Sequence, residues 1–165
     1  MRAYTAAVIT VSDKGYAGER KDTSGPAIAE ILEERGFEVV YKSIIPDDMD
    51  MIKNELISCS GEKNINLVLT TGGTGFSPRD ITPEATLAVI ERECRGIPEA
   101  MRYASLQVTP RGCLSRGVAG ITGRTLIVNL PGSEKAAKEN LLAVIAALDH
   151  GIEMLCSEGS ANCAG

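Results

Sequence analysis

Residues 67–86 read LVLTTGGTGFSPRDITPEAT. The apolar run 67–69 predicts a buried strand, and the glycine-rich stretch 70–75 predicts a tight loop. Thr82-Pro83 then predicts a helix start, with Thr82 as cap and Pro83 at the first helical position, where a missing amide proton is tolerated. This helix is expected to end before Gly96. Strand, loop and helix in that order form the repeating unit of an α/β sheet.

The same alternation extends outward in both directions. A strand is predicted over 6–11, and a helix from the Thr23/Ser24 cap through Ile28, Ile31 and Leu32 to a stop at Gly36. A strand follows over 38–45, then a helix capped by Asp48 with Met49, Ile52, Leu56 and Cys59 at helical spacing. Residues 116–121 and 124–128 read as a hairpin around Thr122-Gly123. Toward the C-terminus, Leu141, Ile145, Leu148, Ile152 and Leu155 form the apolar stripe of a long helix over 133–155. The expected fold is a three-layer α/β/α domain over residues 1–165, its central sheet mostly parallel but mixed through one β-hairpin. Residues 157–165 are expected to form a flexible tail.

Composition agrees with a globular α/β chain and removes several classes. A chain of 165 residues with 44% hydrophobic and 24% charged side chains and a mean hydropathy of +0.01 can build a core without disulfides. No apolar run approaches the roughly 18 residues of a membrane span. A net charge of −5 and a pI near 5.0 argue against nucleic acid as a partner. The five cysteines are odd in number and lack CxxC spacing, so reduced thiols are expected. With no cationic and apolar leader pattern before the first strand, a cytoplasmic location is expected. His150 is the single histidine and falls within the long helix, which leaves a hydrolytic triad without a base.

Four predicted strand exits are polar or glycine-rich: Ser12-Asp13, Pro46-Asp47-Asp48, the 70–75 loop, and Asn129-Leu130-Pro131-Gly132. In a mainly parallel sheet these share one edge, the edge at which open α/β sheets bind ligands. Glycines at 72, 73 and 75 allow backbone amides to approach a phosphate, although the loop is neither a Walker A motif nor GxGxxG. Arg79 and Asp80 add a cation and a carboxylate close by. Asp47 and Asp80 are the candidate Mg²⁺ carboxylates, because Mg²⁺ takes one or two protein carboxylates and completes its shell with phosphate oxygens. Helix capping is the competing role, and it suits Asp48 better. Residues 111–138 also gather Arg111, Arg116, Arg124, Lys135 and Lys138 against Glu134 alone.

The string TTGGTGFSPRDITPEAT, with Ser12-Asp13-Lys14 and Leu126 through Gly132, resembles the MogA/MoaB family of molybdenum cofactor biosynthesis, whose domain type also occurs in gephyrin. The resemblance runs nearly end to end. It implies Mg²⁺-dependent transfer of AMP from ATP to molybdopterin, giving adenylyl-molybdopterin and pyrophosphate. The product would then receive molybdate or tungstate from a molybdenum insertase. A homotrimer is implied as well. By motif matching, Asp47 and Asp80 fall on the family's catalytic, metal-holding aspartates. Ser12, Asp13, Thr71, Gly72, Gly73, Thr74, Gly75, Ser115, Arg116, Asn129, Pro131 and Gly132 fall on its substrate-binding strings.

An already ionised phosphate nucleophile needs no general base, which suits a site built without histidine. Arg116 and Lys135 or Lys138 are expected to oppose substrate phosphates. Two positions depart from the family pattern: Lys14 stands where arginine is common, and Glu134 where proline is common. The alternative function is a catalytically silent molybdopterin-binding or scaffold module. A CinA-like nucleotide chemistry and the insertase step itself are disfavoured, because both occur in longer chains.

Overall fold

The structure, a computed structural model, describes residues 4–157. It is a six-stranded sheet in the order β2-β1-β3-β6-β5-β4, built from β1 (Thr5–Val11), β2 (Glu38–Ile45), β3 (Leu67–Thr71), β4 (Arg92–Glu93), β5 (Ala119–Thr122) and β6 (Thr125–Leu130). β2, β1, β3 and β6 run parallel, while β5 is antiparallel to both β6 and β4. Burial of β3, of β6 and of all of β1 beyond Thr5 explains why their apolar residues form continuous runs and do not alternate.

Helices cover both faces. The helices are α1 (Asp13–Tyr16), α2 (Ser24–Glu34), α3 (Met49–Ser60), α4 (Thr82–Leu87), α5 (Gly96–Leu106) and α6 (Glu134–Cys156), and residues Pro110–Leu114 add a 3₁₀ turn. One core joins Val8, Leu69 and Val128 to Ile28 and Leu32 of α2, Met101 of α5 and the α6 stripe. The other joins Ile9, Val68 and Ile127 to Ile52 and Leu56 of α3 and Ala85 of α4. Leu141, Ile145, Leu148 and Ile152 are all buried, and each contributes roughly 1.5–3 kcal/mol through removal from water.

The three-layer expectation holds, and the local differences have identifiable causes. The helix at Thr82 stops at Leu87 and does not run to Gly96, because the chain beyond it is captured by the sheet. Glu91 and Cys94 donate their amides to Ile121 O and Ala119 O, both at 2.8 Å, and Ile90 packs into the second core. Thr82 is the first helical residue and Ile81 occupies the cap position. α5 was not expected. The hairpin strand begins at Ala119, later than expected, and turns through Gly123 at φ +55°. Asp48 caps α3 as expected, its side chain accepting from Met51 N at 2.9 Å. Of the expected tail, Ser157 caps α6, and the remainder lies outside the described residues.

Candidate functional site

The four parallel strands end together, and each exit delivers a different group. After β1, Ser12 caps α1, its Oγ accepting from Gly15 N at 3.0 Å, which fixes Asp13 at the sheet edge. After β2 comes Asp47. The two aspartates grip each other's backbones: Asp13 N donates to Asp47 Oδ2 and Asp47 N to Asp13 Oδ1, both at 3.0 Å. Arg79 closes over the pair with a two-pronged bond to Asp13, at 2.9 Å from Nε and 2.8 Å from Nη2.

After β3 the chain turns through Gly72 at φ +103° and Gly73 at φ +67°, a region that side-chain-bearing residues rarely adopt. Space forbids a side chain there as well. A Cβ on Gly72 would strike the carbonyl of Val11, and one on Gly73 would strike Thr82 Oγ1 and lie 3.1 Å from Asp47 Oδ1. The loop is tied to the exit of β6, where Gly72 N donates to Leu130 O at 3.2 Å and Thr71 Oγ1 to Pro131 O at 2.6 Å.

Charge is partitioned unevenly across this cluster. Arg79 holds the Asp13 carboxyl below its ordinary range. Burial pushes Asp47 up, and the neighbouring carboxylates of Asp13 and Asp80 add to that rise. An added cation beside Asp47 is therefore favoured.

Two cavities open on either side of the loop and, among the described residues, share Gly73, Asp80 and Gly132 in their walls. One, about 410 Å³, lies between the 74–75 segment, the 109–115 turn and the start of α6. The other, about 430 Å³, lies over the ends of β1 and β3, with Asp47, Ser24, Arg20 and Lys21 in its wall. A site of this shape can hold two ligands with their reactive ends meeting at Asp80.

Residues 7–150 match a protein-family profile described as "Probable molybdopterin binding domain". The chain belongs to this family. A Helicobacter pylori molybdopterin adenylyltransferase is 40% identical, covering 94% of this chain and 89% of its own. The crystal structure of MoaB from Thermus thermophilus superposes with a TM-score of 0.88 at 48% identity, over 92% of this chain and 96% of that one. The Drosophila melanogaster molybdenum cofactor synthesis protein cinnamon is 42% identical over 94% of this chain, which spans only 26% of cinnamon's length.

In this molybdopterin-binding domain the expected site residues differ in what they face. Ser12, Asp47, Thr71 and Gly72 line the cavity over β1 and β3; Thr74, Gly75, Ser115 and Pro131 line the other; Gly73, Asp80 and Gly132 face both. Asp13 lines neither and reaches the site through Asp47. The side chains of Arg116 and Asn129 serve the framework. The Arg116 guanidinium is occupied by Gly75 O at 2.7 Å, by Asp80 O and by the Glu84 carboxylate. Asn129, 1% exposed, donates to Thr70 and Thr86 hydroxyls at 3.0 and 2.9 Å and accepts from Val118 N. Lys135 is exposed and lies 3.9 Å from Glu139.

Other wall residues were not singled out from sequence. Asp22, which accepts from Thr10 Oγ1 at 2.7 Å, sits beside Ser24 in one cavity, and Ser105 lies at the end of α5 in the other. Thr23-Ser24 signals a helix start in the sequence, and the fold also brings the pair into the cavity wall. Glu134 enters the wall of the first of these cavities. Among the described residues no helix is long and apolar enough to cross a membrane.

Proposed function

We propose that this chain is a molybdopterin adenylyltransferase, transferring AMP from ATP to molybdopterin with release of pyrophosphate. The observation that carries the reading is the pair of cavities meeting at Gly73, Asp80 and Gly132; in this reading each takes one substrate. The names of relatives similar over most of this chain support it.

In this reading the molybdopterin phosphate attacks the α-phosphorus of ATP. A P–O bond forms there, the α–β bridging bond breaks, and pyrophosphate leaves with the bonding pair. The nucleophile is already ionised, so the protein moves no proton. Its work is alignment and charge neutralisation. Loop amides at 73–75 receive phosphate oxygens without side-chain obstruction, while the Gly72 amide stays on Leu130 O. Arg79 keeps Asp13 ionised, and Asp13 in turn holds Asp47 at the cavity wall. Arg116 fixes the 75–80 segment so that Asp80 stays at the junction.

Mg²⁺ fits the donor set. Among the described residues no three His, Cys, Asp or Glu side chains form a metal cage, but Mg²⁺ bound to nucleotide uses one or two carboxylates, and Asp47 and Asp80 provide two. When bound it would neutralise phosphate charge along the reaction path. The reading extends to delivery of the product to a molybdenum insertase, to action in the cytoplasm, and to a homotrimer. Exposed Tyr103, Val108 and Leu114 offer apolar surface for subunit contact, and light scattering would give three times the 17.4 kDa chain mass.

The deciding experiment is pyrophosphate release from ATP with purified protein, molybdopterin and Mg²⁺. Release that requires all three components is expected. Molybdopterin binding without release would replace the enzyme by a silent binding module.

A further inference from the structure

Thr82 is fully buried at the start of α4, and its Oγ1 has no hydrogen-bond partner among the described residues. Its backbone is satisfied: the N–H donates to Gly73 O at 3.1 Å, and the carbonyl accepts from Thr86 Oγ1 at 2.8 Å. An unpaired buried hydroxyl lowers stability, and valine has nearly the same shape without that cost. Folding alone gives no reason for threonine here.

The direction of the hydroxyl supplies one. It points at the side of Gly73 where a Cβ would sit, and the same space lies 3.1 Å from Asp47 Oδ1. Asp47 Oδ2 accepts the amide of Asp13, whereas Oδ1 accepts no hydrogen bond among the described residues. A buried donor without an acceptor and a carboxylate oxygen without a donor thus flank one gap, kept open by the glycine between them.

We infer that Thr82 is a positioning residue for adenylyl transfer, its hydroxyl donating to Oδ1 of Asp47 across the bare face of Gly73 in the substrate complex. The inference rests on the proposal that Asp47 acts in that reaction. A carboxylate oxygen offers two lone pairs, so a bond from Thr82 leaves one directed to the cavity. With Asp13 N on Oδ2 and Thr82 on Oδ1, the carboxylate would be held in one rotamer by a loop amide on one side and a helix on the other.

The test compares Thr82→Val and Thr82→Ser, each alone and combined with Asp47→Asn. The readouts are single-turnover formation of adenylyl-molybdopterin, binding isotherms for molybdopterin and for ATP, and the melting temperature of the ligand-free protein. Thr82→Val is expected to melt at or above the wild type, to bind both substrates normally, and to transfer AMP about tenfold more slowly or worse. Thr82→Ser should recover most of the rate. In the Asp47→Asn background, Thr82→Val should cause no further loss, because the two residues act as one unit.

A folded Thr82→Val with the wild-type rate overturns the inference, as does an equal fractional loss in the presence and absence of the Asp47 carboxylate. A rate loss that serine does not repair, accompanied by a lower melting temperature, also overturns it by assigning Thr82 to packing. Should Thr82→Val not fold, Thr82→Ala carries the same expectation for rate and substrate binding. Absence of product from the wild type overturns the adenylyl-transfer reading, and this inference with it. Product from the wild type with equal rates from the variants overturns this inference alone.

Discussion

Replacing Arg116 by alanine separates two roles for the most heavily bonded cation at the site. Its Nε donates to Gly75 O at 2.7 Å, one Nη to Asp80 O, and the other Nη to the Glu84 carboxylate. The ion pair to Glu84 is about one-third to one-half exposed, with side chains at 32% and 45%, so it contributes only about 0–1 kcal/mol. The two bonds to backbone carbonyls come from a charged, partly buried donor, and together they are worth about 2–3 kcal/mol after water replaces part of them. For a chain of this size that loss lowers the melting temperature by about 5–10 °C. It should also speed amide exchange at Ser77 and Asp80, whose mutual bonds close the loop that Arg116 braces. Arg116→Lys should restore only part of the loss, since an ammonium cannot span the three acceptors. Thermal melts and hydrogen exchange on the ligand-free protein provide the assay. An Arg116→Ala variant that melts and exchanges like the wild type, but binds ATP or molybdopterin poorly, would refute the bracing role and return the guanidinium to a substrate phosphate.

Asp80→Asn should lower single-turnover adenylyl transfer by about 10²-fold or more while leaving molybdopterin affinity close to normal, and Asp47→Asn should follow the same pattern across a Mg²⁺ titration. Replacing His150 by asparagine and the cysteines by serine or alanine should leave the transfer rate of folded protein within a few-fold of wild type, because no base or thiol enters the reaction; a loss of several orders of magnitude in one folded variant would reject the base-free route. Burial pushes the Cys59 thiol up to about 11, so it holds its proton through neutral pH and loses it only as pH approaches that value. At pH 8 a thiol reagent should therefore modify exposed Cys113 and leave Cys59 intact until the protein unfolds, as mass mapping would show. Leu141→Ala, at a fully buried position of α6, should cost about 2–5 kcal/mol in denaturant unfolding.

The parts of the fold most legible in sequence were those governed by local periodicity. Residues 67–71 are apolar or small because both faces of β3 are covered, and the glycine-rich turn after them leads to a helix as its punctuation indicates. The stretch 88–106 was harder, since the end of α4 is set by distant partners: Ile90 packs against the glycine face of β5, and Glu91 and Cys94 bond to that strand. Nothing local in Val89-Ile90 reports such a capture. At the site, strand-exit logic brought Asp47, Asp80 and the glycine loop to one edge. Neither that logic nor motif matching can tell a wall residue from a brace, and so Arg116 and Asn129 carried the same expectation as Gly73. Side-chain direction decides that difference, and it depends on the Glu84, Thr70 and Thr86 positions that the fold assembles.

The narrow ridge of Gly73, Asp80 and Gly132 has a kinetic consequence. In the proposed reaction each substrate would engage one side of it, whereas adenylyl-molybdopterin, once formed, would engage both sides at once. Joining the two ligands turns the second contact into an intramolecular event at high effective concentration, so the conjugate should dwell on the protein longer than either fragment. Pyrophosphate, held from one side only, would depart first. Such an order keeps a labile conjugate out of bulk solvent, and it makes departure of the conjugate the slow step that an acceptor protein could accelerate by competing for one of its two ends.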